Sequence, residues 1–326
     1  MRFMAMAAAA VLAASVLGGC GNSGPAGEKK VRMAGIIFQE DEFFHLIELG
    51  MEDAAAKNNV ALTVQTSDNK PEKEFQLVQT YTAQKVDAVL ISPLSSTASV
   101  PALKQASDAG IVVVTNNTSV AADFVSGDVE CSAADLGVQT GTAAREYIEK
   151  NLGGKAKIAI LAFKSQVAEQ SDARVNGFKS EVTKLPGVTV VAEQDAWLTD
   201  MAVKKAGDIL TAHPDVDIFY GANEGGTNGA VLAVKNAGKA GKIVVFGTDV
   251  SKQSLDFLQS PDNILQAITA QKPFEMGQKS VELALKVIRK EPVEKKVMLN
   301  GELLTRTNPK GIAAYAEQFK TWTGGK

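Results

Sequence analysis

Two cysteines, two histidines and a nearly balanced charge are all that this 326-residue chain brings to several common chemistries. Cys20, Cys131, His45 and His213 are scattered, whereas a structural zinc site clusters four ligands and a catalytic one three plus water. No metal site and no cofactor are therefore expected. The net charge of −3 and a pI near 5.6 give no basic face for nucleic acid or an anionic membrane surface. The apolar run Met4 to Val16 falls short of the about 20 residues of a spanning helix. With 45 % hydrophobic and 22 % charged residues the chain has an ordinary globular composition. Its length suits one large or two medium domains with a sizeable core.

Residues 1–19 read as an export signal, with Arg2 before an Ala-rich apolar run. Leu17-Gly18-Gly19-Cys20 resembles the lipobox of bacterial lipoproteins. That resemblance implies cleavage before Cys20, lipidation of its thiol and a periplasmic or extracytoplasmic protein held to the membrane there. Residues 20–28 are a flexible tether. Cys131 is then unpaired, in a context that reads as a helix start, and is expected as a packed thiol.

From Lys29 onward, short apolar runs alternate with helical periodicity. Strands are expected at Val31–Phe38, Val60–Gln65, Ala88–Ser92 and Ile111–Thr115, with a short one at Phe124–Ser126, and a second series begins at Lys157–Phe163. Near-continuous apolar strands in β-α-β rhythm mark parallel sheets covered on both faces. The expectation is two Rossmann-like, doubly wound α/β lobes, the first from residues 29–127 plus 272–296, the second from 128–271 plus 297–326. One strand is expected near Val297–Leu304 before a last helix.

In open α/β sheets, ligands bind beyond the carboxyl ends of the strands. Those positions hold Asp41, Phe43 and Phe44, then Ser92, then Asn116 and Asn117 in the first half. The second half supplies Arg174, Trp197, Asn223, Asp249 and Gln271. Carboxylates, amides, one guanidinium and aromatic rings are present, without His, Cys or Lys, so no nucleophile-base pair forms. Hydroxyl groups pair with carboxylates, amides and guanidinium, and aromatic faces cover the C–H side of a sugar ring. The set suits a small neutral polyhydroxy ligand: a pentose, hexose, polyol or inositol. A Phe-Phe pair straight after Glu40-Asp41-Glu42 is explained if one ring joins the core and the other faces the ligand. Taken singly, each residue has a plainer role, an Asn or Asp as a helix cap and a ring as core filling. The glycine-rich Gly221–Gly229 lacks the GK[ST] ending of a phosphate loop. His213 sits in a helix-end turn, and His45 is expected as a packed or exposed helix residue.

These residues resemble the periplasmic ribose-binding-protein family, the type I solute-binding proteins of ABC importers. Phe43-Phe44, Arg174-Val175-Asn176-Gly177-Phe178, Leu210 to Asp215, Ala222-Asn223-Glu224 and Val244 to Asp249 carry the likeness, which spans about Lys29 to Arg306. It implies two lobes joined by a three-strand hinge and closing on a sugar, with Asp41, Phe43 or Phe44, Ser92 and Asn116 on one side. Arg174, Trp197, Asn223 and Asp249 line the other, and Gln271 lies at a crossover. A membrane permease is the implied partner, no catalysis is implied, and a monomer is expected. The chain departs from the ribose binders at Asn116-Asn117, where they have Asp-Arg, and at Ser92, where Asn is common. That puts ribose itself in doubt while keeping the polyhydroxy class. Presentation of the ligand to a sensor kinase or chemoreceptor, or capture of a furanose-like signal, are alternatives. A transcription-factor core or an exported enzyme of the same class lacks a supporting motif here.

Overall fold

The computed structural model describes residues 30–324, so the signal segment and Cys20 lie outside the described residues. Two six-stranded sheets are built in turn. The first takes β1 (Arg32–Ile37), β2 (Ala61–Thr66), β3 (Ala88–Ile91), β4 (Val112–Asn116) and β5 (Gly127–Cys131). Its last strand, β11 (Lys296–Leu299), arrives from far down the chain, giving the order β11-β5-β4-β3-β1-β2. The helices of this lobe are α1 (Glu42–Lys57), α2 (Pro71–Ala83), α3 (Val100–Asp108) and α9 (Pro273–Ile288). The second sheet takes β6 (Lys155–Ala162), β7 (Gly187–Asp195), β8 (Ile218–Gly221), β9 (Val244–Thr248), β10 (Leu265–Ala270) and β12 (Glu302–Thr305). Its order is β12-β10-β9-β8-β6-β7. It is covered by α4 (Ala133–Asn151), α5 (Ala168–Val182), α6 (Thr199–Ala212), α7 (Glu224–Asn236), α8 (Lys252–Gln259) and α10 (Pro309–Trp322).

Burial explains the strand sequences. β3 (Ala-Val-Leu-Ile) and β8 (Ile-Phe-Tyr-Gly) are buried at every residue, as central strands covered on both faces must be. β2 lies at an edge and alternates exposed with half-buried positions. The two α/β lobes expected from the rhythm are present. Several details differ. The strand expected at Phe124–Ser126 is instead β5, whose Val129 pairs with Asn116 of β4 and with Val297 of β11. The first sheet therefore runs on to Cys131, past the change of lobe expected after residue 127. The single strand expected at Val297–Leu304 is two strands in different sheets, because Asn300 and Gly301 turn the chain from one to the other. β12 runs antiparallel to β10, with Leu304 opposite Ile268, so the second sheet is not parallel throughout. α8 lacks an apolar run, and Ser251 and Ser254 start it by capping each other's backbone amides.

The chain crosses between the sheets three times, after β5, after β10 and between β11 and β12. Two crossings lead straight into helices that pack tightly on the lobe they enter, α9 on α1 and α4 on α5. Both contacts need glycine. A Cβ on Gly50 would stand 2.0 Å from the Phe274 carbonyl oxygen, and one on Gly137 would stand 2.0 Å from that of Arg174.

Candidate functional site

The carboxyl ends of both sheets face one cleft, where a cavity of about 30 Å³ lies between the lobes. Among its walls are Asp41, Phe43, Phe44 and Asn117 from the first lobe, and Arg174, Asn223, Asp249 and Gln271 from the second lobe and its crossover. Eight sequence-predicted residues thus meet in one place. Ser92, Asn116 and Trp197 do not line this cavity. Ser92 and Asn116 are fully buried behind Asn117, where the Ser92 hydroxyl donates to Asn116 Oδ1 and Asn116 Nδ2 has no partner. Trp197 uses its backbone carbonyl to accept from Asn223 Nδ2 at 2.9 Å, and its half-buried ring packs on the core. Phe163, just past β6, supplies the second-lobe ring in its place. The Arg174 guanidinium carbon stands 5.0 Å from the centre of that ring.

Local chain chemistry positions each group. Asp41 caps α1, accepting from the Phe44 amide at 3.0 Å, and it also accepts from Gln39 Nε2. Phe43 and Phe44 follow as the second and third residues of that helix, both buried, with ring centres 5.0 Å apart and nearly perpendicular. Both rings line the cavity as well as the core. Asn223 caps α7 by accepting from Gly226 N at 3.0 Å. Asn117 (φ 61°) and Asp249 (φ 69°) sit in the left-handed region, which is sparsely used outside glycine and costs strain. Both residues line the cavity.

Arg174 and Asp249 form a buried ion pair, Nη1 to Oδ2 2.9 Å, with side chains 4 % and 8 % exposed. The same Nη1 donates to the Ala222 carbonyl at 3.0 Å, and Gln271 Nε2 donates to Asp249 Oδ1 at 2.7 Å. Arg174 Nε is buried and has no partner. Burial pushes the Asp41 carboxyl up to about 6, against the pull of its hydrogen bonds from Phe44 and Gln39. Burial, reinforced by the charges of Asp41, Asp249 and Glu42, pushes Glu224 up to about 8. Glu224 Oε2 is buried without a partner at hydrogen-bonding geometry.

Sequence reasoning missed Gln39, Phe163, Gln166, Gln170 and Glu224, all of which line the cavity. Glu224 lay within a glycine-rich stretch weighed as a phosphate loop, and its acidic side chain beside the Asn223 cap was the available signal. The glutamines join the lobes. Gln166 Nε2 donates to Gln39 Oε1 at 2.6 Å, and Gln170 Nε2 donates to the Asn117 carbonyl and, at 3.2 Å, to Thr118 Oγ1. Ser96 Oγ donates to Glu169 at 2.8 Å, and the Lys252 amide donates to Glu42 at 2.8 Å. Cys131 is a free, buried thiol at the end of β5, pushed up to about 11 by burial. His213 ends α6, and His45 is exposed on α1 beside Glu48. Among the described residues no group of three His, Cys, Asp or Glu could hold a metal ion, and no helix could cross a membrane.

The arrangement has known counterparts. The ABC transporter periplasmic-binding protein YphF of Escherichia coli K12 is 29 % identical over 290 residues, covering 86 % of this chain and 88 % of its own. The ribose import binding protein RbsB of the same organism is 32 % identical over 269 residues, covering 81 % and 86 %. A periplasmic solute-binding protein from Actinobacillus succinogenes, solved with bound D-allose, superposes with a TM-score of 0.80 at 27 % identity over 86 % of this chain and all of its own. A model of the periplasmic binding protein domain matches residues 36–292, and on that match, with the fold and the interlobe cleft it requires, the chain belongs to the periplasmic binding protein family.

Proposed function

We propose that this chain captures a sugar or polyol between its lobes and delivers it to the membrane permease of an ABC importer, binding without turnover. The observation that carries this is the convergence of the buried Arg174–Asp249–Gln271 group with Phe43, Phe44 and Asp41 in one cavity at the carboxyl ends of both sheets. Guanidinium, amide and carboxylate groups suit hydroxyls of either polarity, and the rings cover C–H faces. Relatives named for ribose import and a structural neighbour holding D-allose support the same class.

Capture works by hinge motion. The cavity of about 30 Å³ is far smaller than the few hundred Å³ of an ordinary ligand pocket, so a sugar enters when the lobes part on their three crossings. A ligand touching both lobes then selects the closed arrangement. Asn117 and Gln271 contribute from the first lobe and the crossover, and the Asn116 carbonyl spans the Asn117 turn by accepting from the Thr118 amide at 2.6 Å. The monomer is proposed as the working unit. Lipidation at Cys20 tethers the exported protein beside its permease, and mass spectrometry of the mature N-terminus tests that step. A thermal-shift screen over pentoses, hexoses, polyols and inositols tests capture. A clear upward shift with one class is expected, and none with any of them removes the proposal.

A further inference from the structure

We propose that the solute carries a protonated amine seated between Asp41 and Glu224, which makes it an amino sugar, amino polyol or aminocyclitol; this rests on the sugar or polyol reading of the same cleft.

The balance of groups around the cavity leads there. Its wall holds three carboxyl groups, Asp41, Glu224 and Asp249, and one guanidinium, Arg174. Arg174 is committed to Asp249 at 2.9 Å, and Gln271 occupies the other Asp249 oxygen. Asp41 and Glu224 remain without a cation. They come from opposite lobes, one capping α1 and the other opening α7, so closure brings them to the same cavity. Glu224 Oε2 is buried with no partner at hydrogen-bonding geometry, the Ser251 hydroxyl being its nearest donor.

A neutral hydroxyl could exchange one hydrogen bond with each of these groups and would leave the Glu224 carboxyl protonated beside the Asp41 carboxylate. An ammonium group gives three N–H donors and cancels charge. A second feature of the cleft asks for the other half of such a ligand. Arg174 is 3 % exposed and its buried Nε has no acceptor, a place for a hydroxyl or ring oxygen. A cation at one end and hydroxyl oxygens at the other would complete both. The charged groups facing Glu224, Asp41 and Glu42 from the start of α1 and Asp249 from the end of β9, all disfavour its charge, and only the Ser251 hydroxyl opposes them, whereas a ligand cation would favour it. This refines the neutral ligand expected from the sequence, where Glu224 had not been counted.

The test uses matched pairs on the folded, ligand-free protein at pH 7: glucosamine with glucose, 1-amino-1-deoxysorbitol with sorbitol, and an inositol monoamine with inositol. Melting shifts find the pair that binds, and titration calorimetry gives the affinity of each member. The amine should bind about tenfold tighter or more, equivalent to about 1.4 kcal/mol. Its binding enthalpy should change with the ionisation enthalpy of the buffer, because Glu224 releases a proton. Glu224→Gln keeps the shape and hydrogen-bonding capacity and should bring the ratio of the two affinities close to one, as should Asp41→Asn in part. Equal or tighter binding of the neutral member, or an unchanged ratio in Glu224→Gln, overturns the inference while leaving sugar capture standing. Stabilisation by no member of any pair, nor by any compound of the wider sugar and polyol screen, overturns both.

Discussion

Removing the Arg174 guanidinium would strand Asp249, which is 6 % exposed and has Gln271 as its other side-chain partner. Breaking a buried pair from one side costs about 3–5 kcal/mol, so Arg174→Ala should lower the urea midpoint clearly. Ligand affinity should fall about 30-fold or more, since losing a buried charged partner costs about 2–5 kcal/mol. Arg174→Lys keeps the charge but loses the planar fork and the Nε donor, so calorimetry should place it between the two. Wild-type affinity in Arg174→Ala would show that the ligand lies elsewhere. Glu224 makes a prediction of its own without any ligand. Its carboxyl rises from an ordinary value of 4.5 to about 8, so the native state holds a proton that the unfolded chain has already lost. Stability of the free protein should therefore fall as pH rises through that window, and Asp41, lifted to about 6, adds to the lower part of it. The melting temperature should drop by a few degrees, roughly 2–4 °C per kcal/mol in a domain of this kind, and Glu224→Gln should flatten the slope.

At the scale of elements, the site depends on how closely α4 approaches α5. A Cβ on Gly137 would come within 2.0 Å of the Arg174 carbonyl oxygen, which is backbone and cannot swing aside. Gly137→Ala should push α5 outward, at a cost of about 1–3 kcal/mol or more, and carry Arg174 away from Asp249. Weaker binding together with a lower melting temperature is expected, whereas a loss of stability alone would mean that α5 keeps its register. Gly137 has an ordinary helical φ, so its importance is invisible in sequence and arises only when two helices meet. The same limit governs the strands. β3 was legible because both faces are buried, and Ala-Val-Leu-Ile has no other comfortable place. β5 reads Gly-Asp-Val-Glu-Cys, with no apolar run, and is a strand because β4 and β11 flank it. The separation of β11 from β12 rests on two residues turning between sheets, a choice set by the crossings and not by local propensity. Asp41, Asn223 and Asp249 were legible for a different reason: caps and turns at strand ends use the same polar residues that a ligand needs. Phe163 displaced Trp197 from the cavity because the Trp197 backbone, held by Asn223, turns its ring onto the core.

Across the whole molecule, the two lobes are joined by three crossings and then fastened again by side chains that meet only across the cleft. Gln39 is central to this second fastening. Its carbonyl accepts from Gln166 in the other lobe at 2.6 Å, while its amide donates to Asp41. The bond that shuts the cleft and the carboxylate proposed to hold the ligand are therefore one chain of contacts. Glutamine pairs of this sort contribute about 0.5–1.5 kcal/mol each, comparable with the few kcal/mol that separate open from closed forms in two-state proteins. Gln39→Ala with Gln166→Ala should shift the ligand-free ensemble toward open, seen as a larger radius of gyration in small-angle scattering. Saturating ligand should restore the compact value, because the contacts proposed for it with Asp41, Arg174 and Asp249 on both lobes remain. Since an open ensemble must pay the closing free energy on binding, apparent affinity should fall by a few-fold in proportion to the lost closed fraction. An unchanged radius with unchanged affinity would mean that the crossings alone set the spacing of the lobes, and the glutamine contacts would then be a consequence of closure and not one of its causes.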